Sequence, residues 1–71
     1  MQWPKFRRIL QRKPLDYRIT RQSGSHVRME SDRYPPLTLA FHDKAEIPGG
    51  LIRRILTKGV GLTDDEARRL L

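Results

Sequence analysis

The 71-residue chain predicts an α+β fold in the order helix, three antiparallel strands, helix, with a short helix at the C-terminal end. Three observations carry that expectation. Apolar residues recur at three- and four-residue steps near both ends, they alternate at period two through the middle, and turn-forming residues separate the alternating stretches.

The first periodic segment runs from about Pro4 to Lys13, with Trp3, Phe6, Ile9 and Leu10 on one stripe and Lys5, Arg7, Arg8 and Arg12 around it. Pro4 suits a first helical turn, where its missing amide proton costs nothing, and Pro14 should stop the helix at Lys13 or earlier. From Leu15 the period changes. Leu15, Tyr17 and Ile19 alternate with polar residues, "RQSGS" supplies a turn, and Val27 and Met29 alternate with His26 and Arg28. After "ESDRYPP", the stretch "PLTLAFH" resumes the alternation with Leu37, Leu39 and Phe41. A second helix is expected over roughly Gly50 to Lys58, with Leu51, Ile52, Ile55 and Leu56 as its apolar side. Thr63 and Glu66 then have the spacing of a capping box that opens a short last helix.

Both main helices have one sheet face to cover, made of Tyr17, Ile19, Val27, Met29, Leu37, Leu39 and Phe41. The opposite face should display Arg18, Thr20, His26, Arg28, Thr38, Ala40 and His42. Residues 1–71 read as one domain, small enough to be marginal alone and to gain stability from a partner.

Composition narrows the function. No cysteine is present, so disulfide staples and thiolate metal sites are excluded and a reducing, cytoplasmic setting is expected. No apolar run reaches the length of a membrane span, so no membrane association is expected. The formal net charge is +7, and its distribution is uneven. Residues 1–28 carry eight bases and one acid, whereas residues 29–71 carry seven of each. A polyanion lying across the first helix and first strands would use that asymmetry.

Within the basic part, Gly24 and Ser25 suit a hairpin turn and His26 opens the next strand. An exposed histidine at a strand end is ordinary by itself. Next to arginines it acquires a chemistry, because an imidazole titrates near neutrality and RNA carries its own nucleophile in the 2′-hydroxyl. Arg28 shares the face of His26, and Arg18 or Arg21 across the hairpin can hold a phosphate. Gly24 and Ser25 can touch the same phosphate through the turn. His42, at the end of the third strand and in phase with Thr38 and Ala40, is the candidate for a second acid or base. Two histidines without a cluster of acids or thiols give no metal spacing, so neither metal nor cofactor is expected. Gly49 and Gly50 lack the lysine and preceding strand of a phosphate-binding loop and read as a helix-entry turn.

The segments "FRRIL", "YRITRQSGSHVRM", "LTLAFH", "IPGGLIRRIL" and "GLTDDEARRLL" together resemble the HicA, or YcfA-like, toxin family over nearly the whole chain. The triplet Gly24-Ser25-His26 corresponds to the family's signature. The resemblance implies a fold like the double-stranded-RNA-binding domain and a ribonuclease that cleaves messenger RNA, with the active histidine at His26. It also implies an antitoxin partner, HicB, that blocks this region. Three local departures stand out: Ala40 stands where many members have a proline near the end of the third strand, Lys13-Pro14-Leu15 replaces a glycine-containing turn, and "TKGVGL" is one residue longer than usual. The alternative function is a non-catalytic RNA-binding module of the same fold, which reads shape through the basic face.

Overall fold

Helix α1 spans Trp3–Gln11 in the computed structural model, which describes all 71 residues. Trp3, Phe6, Ile9 and Leu10 are buried, as the stripe requires, and the helix closes three residues before Pro14. The turn that follows places Asp16 at a φ of 50°, a left-handed conformation that aspartate tolerates better than most side chains. That reversal lets Leu15 and Tyr17 both enter the core, at 0% and 2% exposure. Leu15 therefore belongs to the turn, and the strand expected from it begins only at Arg18.

Three strands form one antiparallel sheet in the order β1 (Arg18–Ser23), β2 (His26–Glu30), β3 (Leu37–Ala40). Ser23 pairs with His26, so the hairpin loop is just Gly24 and Ser25. Gly24 has a φ of 60° and Ser25 is not left-handed, the pattern of a type II′ turn, which matches the twist of the strands it joins. Along β2 and β3 burial alternates as expected: Val27, Met29, Leu37 and Leu39 face inward while His26, Arg28, Thr38 and Ala40 face outward.

β1 departs from that regularity. The register moves by one residue between Ile19 and Arg21, a bulge centred on Thr20. Ile19 sits opposite the fully buried Met29, yet it is 36% exposed, because β1 is an edge strand and nothing covers its outer margin. The expected burial of Ile19 is thus corrected by its edge position. Phe41 is only half-buried, since β3 ends at Ala40 and the ring rests on the rim of the core against Trp3.

The connector after β3 folds back on the chain start. Gln2 and Glu46 form an isolated bridge, the Ile47 amide donates to the Met1 carbonyl at 2.8 Å, and Ile47 is buried at 1% exposure. Helix α2 covers Gly49–Arg54 and runs straight into a π-helical turn, Ile55–Gly59, closed by the Val60 amide donating to the Ile55 carbonyl at 2.9 Å. The π turn holds one residue more than an α turn and is followed directly by Val60, which is buried at 2% exposure. Of the expected apolar side, Ile52 and Leu56 are buried, Ile55 is half-buried, and Leu51 points to solvent at 39% exposure because it lies in the first turn, off the sheet. Gly59 packs closely: a Cβ there would stand 3.0 Å from Leu37 Cδ2, a tight contact to which the leucine side chain would have to yield.

Helix α3 spans Asp64–Leu70. Its capping box is complete, with the Glu66 amide donating to Thr63 Oγ1 at 3.1 Å and the Thr63 amide donating to Glu66 Oε1 at 2.9 Å. Those hydrogen bonds from Thr63 hold the Glu66 carboxyl below its ordinary pKa. Ala67 docks on the core, and Leu71 remains exposed. The core is one cluster of fifteen residues drawn from the helices, β2, β3 and the connecting turns, on one side of the sheet, with none from β1. No helix is long and apolar enough to cross a membrane.

Candidate functional site

The open face of the sheet is built by the hairpin register. A two-residue turn that pairs Ser23 with His26 pairs Gln22 with Val27 and Arg21 with Arg28. Ser23 and Arg21 therefore share the outward side with His26 and Arg28, and Gln22 lies on the inward side with Val27. The Thr20 bulge then restores the phase, so that Ile19 again faces inward and Arg18 outward. Without the bulge, one of the two halves of β1 would have its apolar residue on the wrong face.

Arg21, Ser23, His26, Arg28 and Thr38 line a shallow depression on that face. No acidic residue lines it. The two guanidinium groups come from directly opposed positions, where like charges are unfavourable, and only Arg28 has an acidic neighbour. Arg28 Nε lies 3.6 Å from Glu30 Oε2, and that same oxygen accepts a 2.7 Å hydrogen bond from Thr20 Oγ1. This pair is solvent-exposed, worth about 0–1 kcal/mol, and leaves Arg28 able to turn toward another anion. Arg21 has no acidic partner. The depression is thus a concentrated positive field around one exposed imidazole.

The other expected site residues fall elsewhere. Arg18 stands at the far end of β1, opposite Glu30, with its guanidinium 3.4 Å from Asp32. That is roughly 15 Å along the strand from Ser23. Gly24 and Ser25 line a different hollow, on the inward side of the turn, together with Gln22, Phe41, His42 and Asp43. His42 was expected in phase with Ala40 on the side of His26. Because β3 stops at Ala40, opposite His26, the chain leaves the pleat before His42 and carries it to the inward side. The two histidines flank the turn instead of sharing one depression.

Ser23 and Thr38 were not among the expected site residues. A two-residue loop would have identified Ser23, since it fixes the residue opposite His26, and Thr38 follows from the pairing of Arg28 with β3. Tyr17 lies behind the sheet: its hydroxyl donates to the Pro35 carbonyl at 2.7 Å, and burial, with the neighbouring Tyr34, pushes its pKa up to about 12. It holds the β2–β3 connection against the core and takes no part in the depression. No three His, Cys, Asp or Glu side chains converge anywhere in the chain.

A family model described as "HicA toxin of bacterial toxin-antitoxin" matches residues 3–62, from the buried Trp3 to the buried Leu62. No curated protein and no solved structure matches the chain. With that match spanning every element up to the last helix, the chain belongs to the HicA toxin family, so its role is that of a toxin and its counterpart is an antitoxin.

Proposed function

We propose that the protein is an endoribonuclease that cleaves messenger RNA in the cytoplasm, without a metal ion, through His26. The observation that carries this reading is the convergence of Arg21, Arg28 and His26 in one depression that contains no acid. A backbone phosphate held by the two guanidinium groups would bring its neighbouring ribose within reach of the imidazole. His26 then takes the proton of the 2′-hydroxyl while the 2′-oxygen forms a bond to phosphorus. The bond from phosphorus to the 5′-oxygen breaks, and that oxygen leaves with a proton from solvent water. The products are a 2′,3′-cyclic phosphate and a free 5′-hydroxyl. Ser23 and Thr38 offer hydroxyls to the remaining phosphate oxygens.

A HicB-like antitoxin is the partner that fits this reading, covering the basic face with acidic groups and closing the depression to RNA. The decisive experiment is cleavage of a messenger RNA in EDTA with end-group analysis. Wild type should yield cyclic phosphate ends, and His26→Ala should lose roughly 10²–10⁴ in rate. Unchanged cleavage by His26→Ala, or 5′-phosphate products, would overturn the reading; salt-dependent binding with no products would establish the non-catalytic RNA-binding alternative.

A further inference from the structure

The hollow on the inward side of the turn has the makings of a base-binding pocket. It measures about 220 Å³, below the roughly 300–1,000 Å³ of sites that enclose a whole small molecule, and is suited to a single ring system. It adjoins the His26 depression, and Val27 lines both. Phe41 offers an aromatic edge at the rim of the hollow. Phe41 is half-buried, with its ring centroid 5.5 Å from that of Trp3, which fixes the ring at the rim. The rest is polar: Gln22, His42 and Asp43 are exposed and take part in no side-chain hydrogen bond or ion pair within the chain.

We propose that this hollow seats one unstacked nucleobase of the RNA whose phosphate lies at Arg21, Arg28 and His26, and that it ranks bases by their N–H donors, guanine first and uracil last. The inference rests on the ribonuclease reading and adds the recognition that reading lacks. Single-stranded RNA is read by bases splayed out, stacked on aromatic rings and hydrogen-bonded along their Watson–Crick edges. A strand draped over the turn leaves its phosphate on the outward side and turns one base inward, and Gly24 puts no side chain in its way. Asp43, as a carboxylate, only accepts. Guanine alone presents two adjacent donors, N1–H and the 2-amino group, to such an acceptor. Adenine and cytosine present one amino group beside a bare ring nitrogen. Uracil presents one N–H between two carbonyls, which a carboxylate repels. Gln22, both donor and acceptor, can complete the guanine edge at O6.

The test uses four single-stranded ribo-oligomers identical except for one central A, C, G or U. Cleavage efficiency is measured for wild type, Asp43→Asn and Gln22→Ala, and binding of the same oligomers is measured on His26→Ala protein and on His26→Ala combined with Asp43→Asn. A guanine-to-uracil ratio on the order of tenfold or more is expected for wild type, in cleavage and in binding. Asp43→Asn should bring it to about twofold, and Gln22→Ala should lower it less. Because the readout is a ratio within each variant, a general loss of activity cancels. No base preference in wild type, or the same preference in Asp43→Asn, would overturn the inference. Cleavage by His26→Ala at the wild-type rate would instead overturn the ribonuclease reading, and the binding ratios would still decide the fate of the hollow.

Discussion

β1 and β2 are paired along their length, yet they do different work. β2 alternates, with Val27 and Met29 in the core and His26 and Arg28 in solvent, so each residue of it serves either packing or the open face. β1 is exposed at all six positions, including the one apolar residue that faces inward. An edge strand has half the neighbours of a central one, so it can carry charges that a central strand could not accommodate on both faces. Arg21, opposite Arg28 of the central strand, has no acidic partner, whereas Arg28 has Glu30 beside it. The lesson is that the uncompensated charge of the site is concentrated on the strand with the smallest stake in the core.

The widest test of that contrast is the pair Ile19 and Met29, which are direct cross-strand partners on the same face. Met29→Ala removes a fully buried side chain and should cost about 2–5 kcal/mol, most of the stability of a domain this small. Ile19→Ala should cost about 1–2 kcal/mol, because the side chain is already partly in water. Urea unfolding of both variants checks this, and equal losses would erase the distinction between edge and centre.

A smaller effect separates the core side from the open side by pH. The Tyr17 hydroxyl donates to Pro35, and its raised pKa means the folded state resists ionisation. The neutral form stabilises the fold fully below the unfolded tyrosine value of about 10, and that contribution is lost as pH rises toward about 12. Tyr17→Phe should cost about 1 kcal/mol at neutral pH and flatten the alkaline decline. Thermal melts between pH 8 and 12 measure it; an identical alkaline decline in the variant would assign the loss to other groups.

The smallest change in stability should have the opposite sign. Arg21→Thr removes a like charge facing Arg28 and introduces a good strand former, so a gain of a few tenths of a kcal/mol is expected. RNA affinity should fall at the same time, with the slope of log K against log salt flattening by about 0.7 for a single-stranded ligand. Stability and affinity that fall together would show that Arg21 serves packing, contrary to its place on the edge.

Much of this was legible beforehand because it depends on local periodicity. The α1 stripe, the alternation of β2 and β3, and the Thr63–Glu66 capping box all use contacts within a few residues, and each appears in the structure as the spacing requires. Ile19 and Leu51 were misplaced for one reason: period identifies the inward side of an element, not whether anything covers it. His42 was misplaced because phase persists only while the strand does, and β3 ends two residues earlier.

From the residues alone come the helix and strand order, the exposure of His26, the excess of charge in the first 28 residues and the resemblance to a toxin family. Tertiary structure decided which arginine stands beside the histidine and which hollow each turn residue lines. It also decided that the second helix ends in a π turn, Ile55–Gly59. The physical reason is reach. Hydrophobic period and capping act over three or four residues, whereas a bulge at Thr20 depends on a strand pairing whose register is set jointly by the Gly24–Ser25 turn and by the core under Val27 and Met29.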